Sequence, residues 1–160
     1  MSYDEVAALI GPRRLSSDPG ARNCLDMRAS ITRLIESADE ELIIVAFRLD
    51  ADDILDRIIA RSDDGVEVTI HLDHGQIETE GAPRGAYDRL NQHGIVVERW
   101  EEDRYHSLHA KVLIADGQRA IIGSANLTDR GLDRNVELGI WLEGPTVGHL
   151  RSALLAALSF

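Results

Sequence analysis

The chain is poor in cysteine, in lysine and in long apolar segments. Cys24 is the only cysteine, so no disulfide can form within the chain, and the sequence suits a reducing compartment. No run of 18 apolar residues occurs, and the N-terminus lacks a positively charged segment followed by an apolar stretch. The sequence therefore predicts a soluble, cytoplasmic protein without stable membrane insertion.

Positive charge is also scarce, since 17 Lys and Arg residues face 28 Asp and Glu residues and the formal net charge is −11. Most proteins that bind nucleic acid carry a basic patch, and a strongly acidic total is unusual among them. A local basic patch, a high-salt cytoplasm and a substrate other than nucleic acid all stay open as explanations.

The length of 160 residues and the hydrophobic fraction of 44% predict one domain over 1–160 with a substantial core. No internal repeat, linker or low-complexity tract interrupts it. Residues 1–21 contain two Pro and Gly clusters, which indicate turns. We therefore expect an N-terminal arm over 1–21.

Hydrophobic periodicity predicts alternating strands and helices. Residues 42–47 form a short apolar run typical of a strand buried on both faces, and residues 66–72 alternate as a second strand does. Predicted helices cover 27–38, 54–59, 83–92 and a segment from Pro145, and predicted strands cover 95–100, 108–115, 119–124 and 136–142. The fold class is α/β, with a mixed, largely parallel sheet flanked by helices on both faces. The loop 73–84 follows a strand, where such sheets bind ligands.

The only lysine of the chain, Lys111, follows two residues after His109 at the start of an apolar run. Side chains at positions i and i+2 of a strand share a face, so a strand here would bring the two together. A nucleophile or proton carrier beside a fixed positive charge suits a phosphoryl group, because its oxygens need a cation and its phosphorus needs an attacking nitrogen.

The same residues continue into a longer pattern. His109, Lys111 and Asp116 fit the spacing HxKxxxxD, and Gly123, Ser124 and Asn126 then fit GSxN, with Glu137 further on. This pattern resembles the signature of the phospholipase D superfamily, over roughly residues 30–157. One difference is Phe47, where many members carry tyrosine. Members build one active site from two such motifs, so the single motif here resembles the small nuclease branch, in which a homodimer supplies both.

The resemblance implies a role for each matching residue. His109 acts as the nucleophile that forms a phosphohistidine or as the acid that protonates the leaving oxygen. Lys111 and Asn126 hold non-bridging oxygens, and Ser124 adds a hydroxyl donor or is a turn residue. Glu137 is expected to be buried and to accept a hydrogen bond from His109, with a solvated strand-edge glutamate as the alternative.

Other polar residues have more modest expected roles. Arg130 and Arg134 precede Glu137 in a polar loop and are candidate substrate contacts, or solvated arginines. Asp116 sits at a predicted hairpin, where a carboxylate commonly bonds backbone amides, so we expect it to be structural, as we do Gly123. His106 is close enough in sequence to reach the rim of the site.

His71, Asp73 and His74 are residue types that can bind a metal ion and lie close together in the sequence. A strand places the first two on one face and His74 on the other, and no second group completes a ligand set. We therefore expect no metal site and no cofactor.

These observations lead to one hypothesis and two rivals. The chain is expected to be a metal-independent endonuclease that cleaves DNA or RNA in a homodimeric, shared site. A phospholipid headgroup hydrolase is the enzymatic alternative, although the sequence lacks an amphipathic membrane-facing stretch. A phosphate-recognising subunit of a defence or repair complex is the third possibility.

Overall fold

The computed structural model describes residues 4–21, 23–77, 81–100 and 107–159, and the strands of this part of the chain form one eight-stranded sheet. They are β1 (Glu5–Gly11), β2 (Cys24–Asp26), β3 (Glu41–Ala46), β4 (Glu67–Asp73), β5 (Val96–Trp100), β6 (Val112–Ala115), β7 (Arg119–Gly123) and β8 (Glu137–Glu143). Their order across the sheet is β2-β1-β8-β7-β6-β3-β4-β5.

The α-helices are α1 (Arg13–Ser16), α2 (Met27–Glu36), α3 (Asp52–Asp63), α4 (His74–Ile77), α5 (Ala82–Gln92), α6 (Asp129–Asp133) and α7 (Pro145–Leu158), with a 3₁₀ turn at Pro19–Ala21. The start of α2 is fixed by Asp26, whose side chain accepts a hydrogen bond from the amide of Ala29 at 2.8 Å. The predicted loop 73–84 contains α4 and the start of α5, and its residues 78–80 lie outside the described part.

Helices cover both faces of the sheet, because successive side chains of a strand point to opposite sides. Leu42 and Ile44 of β3 join a core with residues of α2, α3 and α5. Ile43 and Val45 join a second core with Val147 and other residues of α7. The apolar run at 42–47 is therefore a strand buried on both faces, as its sequence predicted.

The mixed α/β class predicted from the sequence is confirmed, but less of the sheet is parallel than expected. Three pairings are parallel, β1 with β2, β3 with β4, and β4 with β5. The four pairings from β1 through β8, β7 and β6 to β3 are antiparallel. A short hairpin at Asp116 joins β6 directly to β7 and makes that pairing antiparallel, whereas β7 and β8 are linked through α6 and the other two pairings join strands that are not consecutive in the chain.

The expectation of an N-terminal arm over 1–21 is wrong for residues 5–11. These residues form β1, an inner strand that pairs along its whole length with β8 and over three residues with β2. The turn signals at 11–12 and 18–20 obscured a short segment in which the buried Leu9 belongs to the core and Ala7 packs against it.

Candidate active site

His109 and Lys111 lie side by side just before β6. The Lys111 ammonium is 3.1 Å from His109 Nδ1 and donates a hydrogen bond to the carbonyl oxygen of His109 at 2.7 Å. Lys111 is only 6% exposed, whereas the His109 side chain reaches solvent. The pairing expected from the sequence is therefore present, with the imidazole open to a substrate and the ammonium beneath it.

The backbone that carries this pair is not a regular strand. We expected a strand over 108–115, but β6 begins only at Val112. The amide of Leu108 instead donates to Asp73 Oδ2 at 2.9 Å, and the carbonyl of Lys111 accepts from the amide of Gly123 at 3.1 Å. A side chain from the end of β4 therefore takes the place of a neighbouring strand beside His109.

The ring of Phe47, directly after β3, completes the surroundings of the pair. Its centroid lies 4.9 Å from that of His109 at a tilted angle, and Lys111 Nζ lies 5.3 Å from the same centroid. Such distances permit an aromatic contact with the imidazole and a cation–π contact with the ammonium. Phe47 therefore restricts both side chains without offering a hydroxyl group.

Burial lowers the pKa of Lys111, because removing an ammonium from water disfavours its charged form. The nearby charge of Glu137 acts in the opposite direction and raises it. An ammonium can only donate, so His109 Nδ1 faces a donor and acts as acceptor. The neutral imidazole then carries its proton on Nε2.

Glu137 lies near the pair but does not make the contact that we expected. Its carboxylate accepts hydrogen bonds from the Ser124 hydroxyl and from Asn135 Nδ2, the latter at 3.2 Å. It is half-buried rather than buried, and no bond to His109 is found among the described residues. The physical reason is that these two donors occupy the carboxylate oxygens while Lys111 occupies the Nδ1 side of the imidazole.

Asn126 lies on the loop between β7 and α6. Its Oδ1 is buried without a hydrogen-bond partner among the described residues, which is an unfavourable state for a polar atom. The loop passes close to α6, because a Cβ on Gly131 would come within 2.4 Å of the Asn126 carbonyl oxygen. A Cβ on Gly123 would likewise come within 2.9 Å of the Leu138 carbonyl oxygen on β8.

The remaining motif residue, Asp116, contacts backbone rather than the site. Its carboxylate accepts hydrogen bonds from the amides of Asp39, Glu40 and Glu41, the shortest at 2.8 Å, and pairs with Arg119 at 2.9 Å. Burial raises the pKa of Asp116, but these amides and Arg119 outweigh it and the pKa is lowered overall. The ionised carboxylate thus joins the β6–β7 hairpin to the start of β3.

Both candidate arginines are exposed near α6. Arg130 and Asn126 line the same polar cleft. Arg134 directly follows α6 and does not line this cleft among the described residues. His106 lies outside the described residues. Within the described ranges, no group of three or more His, Cys, Asp or Glu side chains is placed to hold a metal ion.

Comparisons with known proteins identify the family and the fold of the chain. A family model described as "Cardiolipin synthase, PLD-like domain" matches residues 31–155. The chain belongs to the phospholipase D superfamily. The crystal structure of Nuc, a phospholipase D family member from Salmonella typhimurium, superposes with a TM-score of 0.80 at 22% identity, covering 97% of this chain and 91% of Nuc. The fold of this phospholipase D domain is therefore that of Nuc.

Two curated relatives differ in name. The DISARM protein DrmC of Bacillus paralicheniformis is 28% identical over 130 residues, which are 79% of this chain and 54% of DrmC. Cardiolipin synthase A of Buchnera aphidicola subsp. Schizaphis graminum is 26% identical over 142 residues, 88% of this chain and 29% of that protein. The phospholipase D domain thus spans about half of the first relative and under a third of the second.

Two residues of the candidate site were not predicted from the sequence. Asp73 is expected there only as part of a rejected metal-ligand set, yet it is 6% exposed and accepts a hydrogen bond from the backbone amide of Leu108, next to His109. Phe47 was noted only as a difference from the family pattern. The signal that the sequence offered for Asp73 is a carboxylate at the end of an apolar strand, since such a group needs a hydrogen-bond partner when it is buried.

Among the described residues, no helix is both long and apolar enough to cross a bilayer.

Proposed function

We propose that this phospholipase D domain is a metal-independent phosphodiesterase that cleaves nucleic acid through a phosphohistidine at His109. The observation that carries the proposal is the exposed imidazole of His109 at 3.1 Å from the buried ammonium of Lys111. A substrate phosphate that reaches the imidazole also meets the ammonium, which stabilises the charge that develops on its oxygens. Asn126 adds a neutral donor.

The reaction needs two histidines. One imidazole attacks phosphorus through a nitrogen lone pair, and the bond from phosphorus to the leaving oxygen breaks while a second imidazole donates a proton to that oxygen. Water then attacks the phosphohistidine and releases the phosphorylated product. The proton donor is an imidazolium, because a neutral imidazole that lost its only N–H proton would be left as an imidazolate. Attack through Nε2 requires the proton on Nδ1 of the other imidazole, and therefore a shift of Lys111 and Glu137 from their present contacts so that the carboxylate can stabilise that proton.

A second copy of the chain supplies the second imidazole in this proposal. Among the described residues, the contacts of His109 are with Phe47 and Lys111, and no other histidine joins them. The exposed side chains of Ile122, Leu138 and Ile140 alternate with the inner core and so lie on the same face of the sheet as α7. This apolar strip runs toward Ser124 and Glu137, so a two-fold interface there would bring two sites together.

Two other functions have specific support. The family model and cardiolipin synthase A favour a phospholipid headgroup as substrate. The similarity to a DISARM protein favours a subunit of a defence or repair complex. Nucleic acid is preferred because the site is open to solvent and polar, whereas a lipid substrate calls for an apolar path to its acyl chains.

Purified protein incubated in EDTA with single-stranded DNA, duplex DNA, RNA and phosphatidyl lipid vesicles tests these functions. We expect nucleic acid to be cut, the His109→Ala variant to be inactive, and an acid-labile phosphoprotein to accumulate on rapid quenching. Turnover of the lipid alone would establish the lipid alternative. Binding of nucleic acid without turnover would establish the accessory role, and activity only after metal addition would refute metal independence.

Subunit mixing tests the shared site directly. If wild-type and His109→Ala chains exchange at equal concentration, about one quarter of all dimers carry two histidines by random pairing. Activity should therefore fall to about one quarter of the undiluted wild-type value. A fall to about one half means that each chain works alone, and it would contradict the dimeric mechanism.

A further inference from the structure

A polar cleft of about 480 Å³ opens beside Asn126, between the segment that follows β3 and helix α6. Its lining includes Arg48, Asn126, Thr128, Arg130 and Asn135. We infer that this cleft binds a second phosphate of the substrate, the one next to the linkage being cut. The inference rests on the proposed function and restricts the class of substrate, because only a polymer with repeated phosphates can occupy both the reacting centre and the cleft.

Arg48 is held in position for this task. Its Nε donates to Asp50 Oδ2 at 2.7 Å, and its carbonyl accepts from the amide of Leu127 at 3.0 Å. The amide of Asp50 in turn donates to the Leu127 carbonyl at 3.0 Å. Leu127 directly follows Asn126, so the backbone fixes the arginine next to the residue that is proposed to hold the reacting phosphate. Both terminal nitrogens of Arg48 lack a bond among the described residues and can form a fork with phosphate oxygens.

Arg130 supplies a second charge on the opposite wall. It is exposed and forms no ion pair among the described residues. Asp50 pairs with Arg48, and Asp129 shares the guanidinium of Arg28 with Asp53 and Asp133. Arg130 is therefore the charged lining residue that has no ion-pair partner in the described part of the chain.

The other lining side chains decide between substrate chemistries. The cleft has no aromatic and no large aliphatic side chain among its described lining residues, so neither base stacking nor acyl-chain binding has a surface there. Arginine, asparagine and threonine are donors for phosphate and sugar oxygens. Phosphates recur about every 3.4 Å along the axis of a duplex strand, so the next one lies within reach of a cleft that begins at Asn126. Recognition is then independent of base sequence.

Two substrates separate this cleft from the reacting centre. Bis(4-nitrophenyl) phosphate carries one phosphate and fills only the centre, whereas a single-stranded oligonucleotide fills both. We expect Arg48→Gln and Arg130→Gln to lower kcat/KM for the oligonucleotide at least about tenfold more than for the small diester. Arg84→Gln on α5, a comparably exposed arginine outside the cleft, is the matched control and should leave both values unchanged. Thermal unfolding checks that each variant is folded.

A modified substrate tests the same idea without changing the protein. Two oligonucleotides with one cleavable linkage receive a neutral methylphosphonate on its 5′ or its 3′ side. One of them should be cut by the wild type at least about tenfold more slowly, and Arg48→Gln should then show no further loss on it. The second phosphate site would be overturned if Arg48→Gln and Arg130→Gln lowered kcat/KM equally for the small diester and the oligonucleotide. It would also be overturned if the wild type cut both methylphosphonate oligonucleotides at an unchanged rate. Failure of the wild type to hydrolyse either the diester or the oligonucleotide would instead refute the proposed function itself.

Discussion

Leu138 is the residue at which the proposed dimer is most open to test. It lies 62% exposed in the apolar strip on β8, one residue after Glu137. Full burial of a leucine is worth roughly 1.5–3 kcal/mol, so covering the exposed part stabilises a dimer by about 1–2 kcal/mol per copy. Leu138→Glu removes this twice across a two-fold axis, about 2–4 kcal/mol. The dimer dissociation constant should then rise about 30- to 700-fold, before any repulsion between the new charges is included.

Sedimentation velocity and specific activity, both measured over a range of protein concentrations, check this prediction. The variant should dissociate at concentrations where the wild type is dimeric, and its activity per chain should fall in step. Val96→Glu is the matched control, because Val96 is 52% exposed on β5 at the far edge of the sheet. A Leu138→Glu protein that stays dimeric, or a monomeric wild type with full activity, would refute the interface.

Three further changes test the site. An amine-selective reagent should inactivate the protein in step with labelling of Lys111, and vanadate should protect Lys111 from the reagent. Labelling should occur at a lower pH than for an ordinary lysine, because burial lowers the pKa of Lys111. Complete labelling with unchanged activity would remove Lys111 from the mechanism. Glu137→Gln should lower kcat by two or more orders of magnitude while the dimer persists, and wild-type turnover would show that Glu137 has no part in catalysis. Asp73→Leu should lower kcat about 10- to 100-fold, because the amide of Leu108 loses its acceptor and the backbone beside His109 is no longer held in place. Asp73→Asn keeps an acceptor and should retain most activity. Similar losses in both variants would contradict the role of Asp73 in positioning His109.

The parts of the fold that the sequence predicted are those with strong local patterns. The run at 42–47 is apolar enough to be buried on both faces, and the alternation at 66–72 marks one strand of a parallel pair. The neighbourhood of His109 and Lys111 followed from a spacing of two residues. Such patterns involve only a few neighbouring residues, so the structure that they predict does not depend on distant parts of the chain.

The parts that were missed depend on partners far away in the chain. β1 is a strand because β8, more than 120 residues later, offers it a full set of backbone hydrogen bonds, and its own sequence gives only a weak alternation. Asp73 reaches Leu108 across 35 positions. The Glu137 contact was misjudged because Ser124 and Asn135 compete for its carboxylate, and that competition is visible only in three dimensions.

An acidic chain can be compatible with a polyanionic substrate when acidic side chains near the site are paired with arginine. Arg28 on α2 binds three carboxylates at once, those of Asp53, Asp129 and Asp133, at 2.5, 2.7 and 2.9 Å. Two of these carboxylates belong to α6, the helix that carries Arg130. Arg28 lowers the repulsion that these two carboxylates exert on a phosphate approaching the cleft, by an amount that solvent screening keeps small because both are largely exposed. One guanidinium shared by three carboxylates leaves part of their negative charge in place, so attraction of a phosphate to the cleft depends on Arg48 and Arg130, in a chain whose formal net charge is −11.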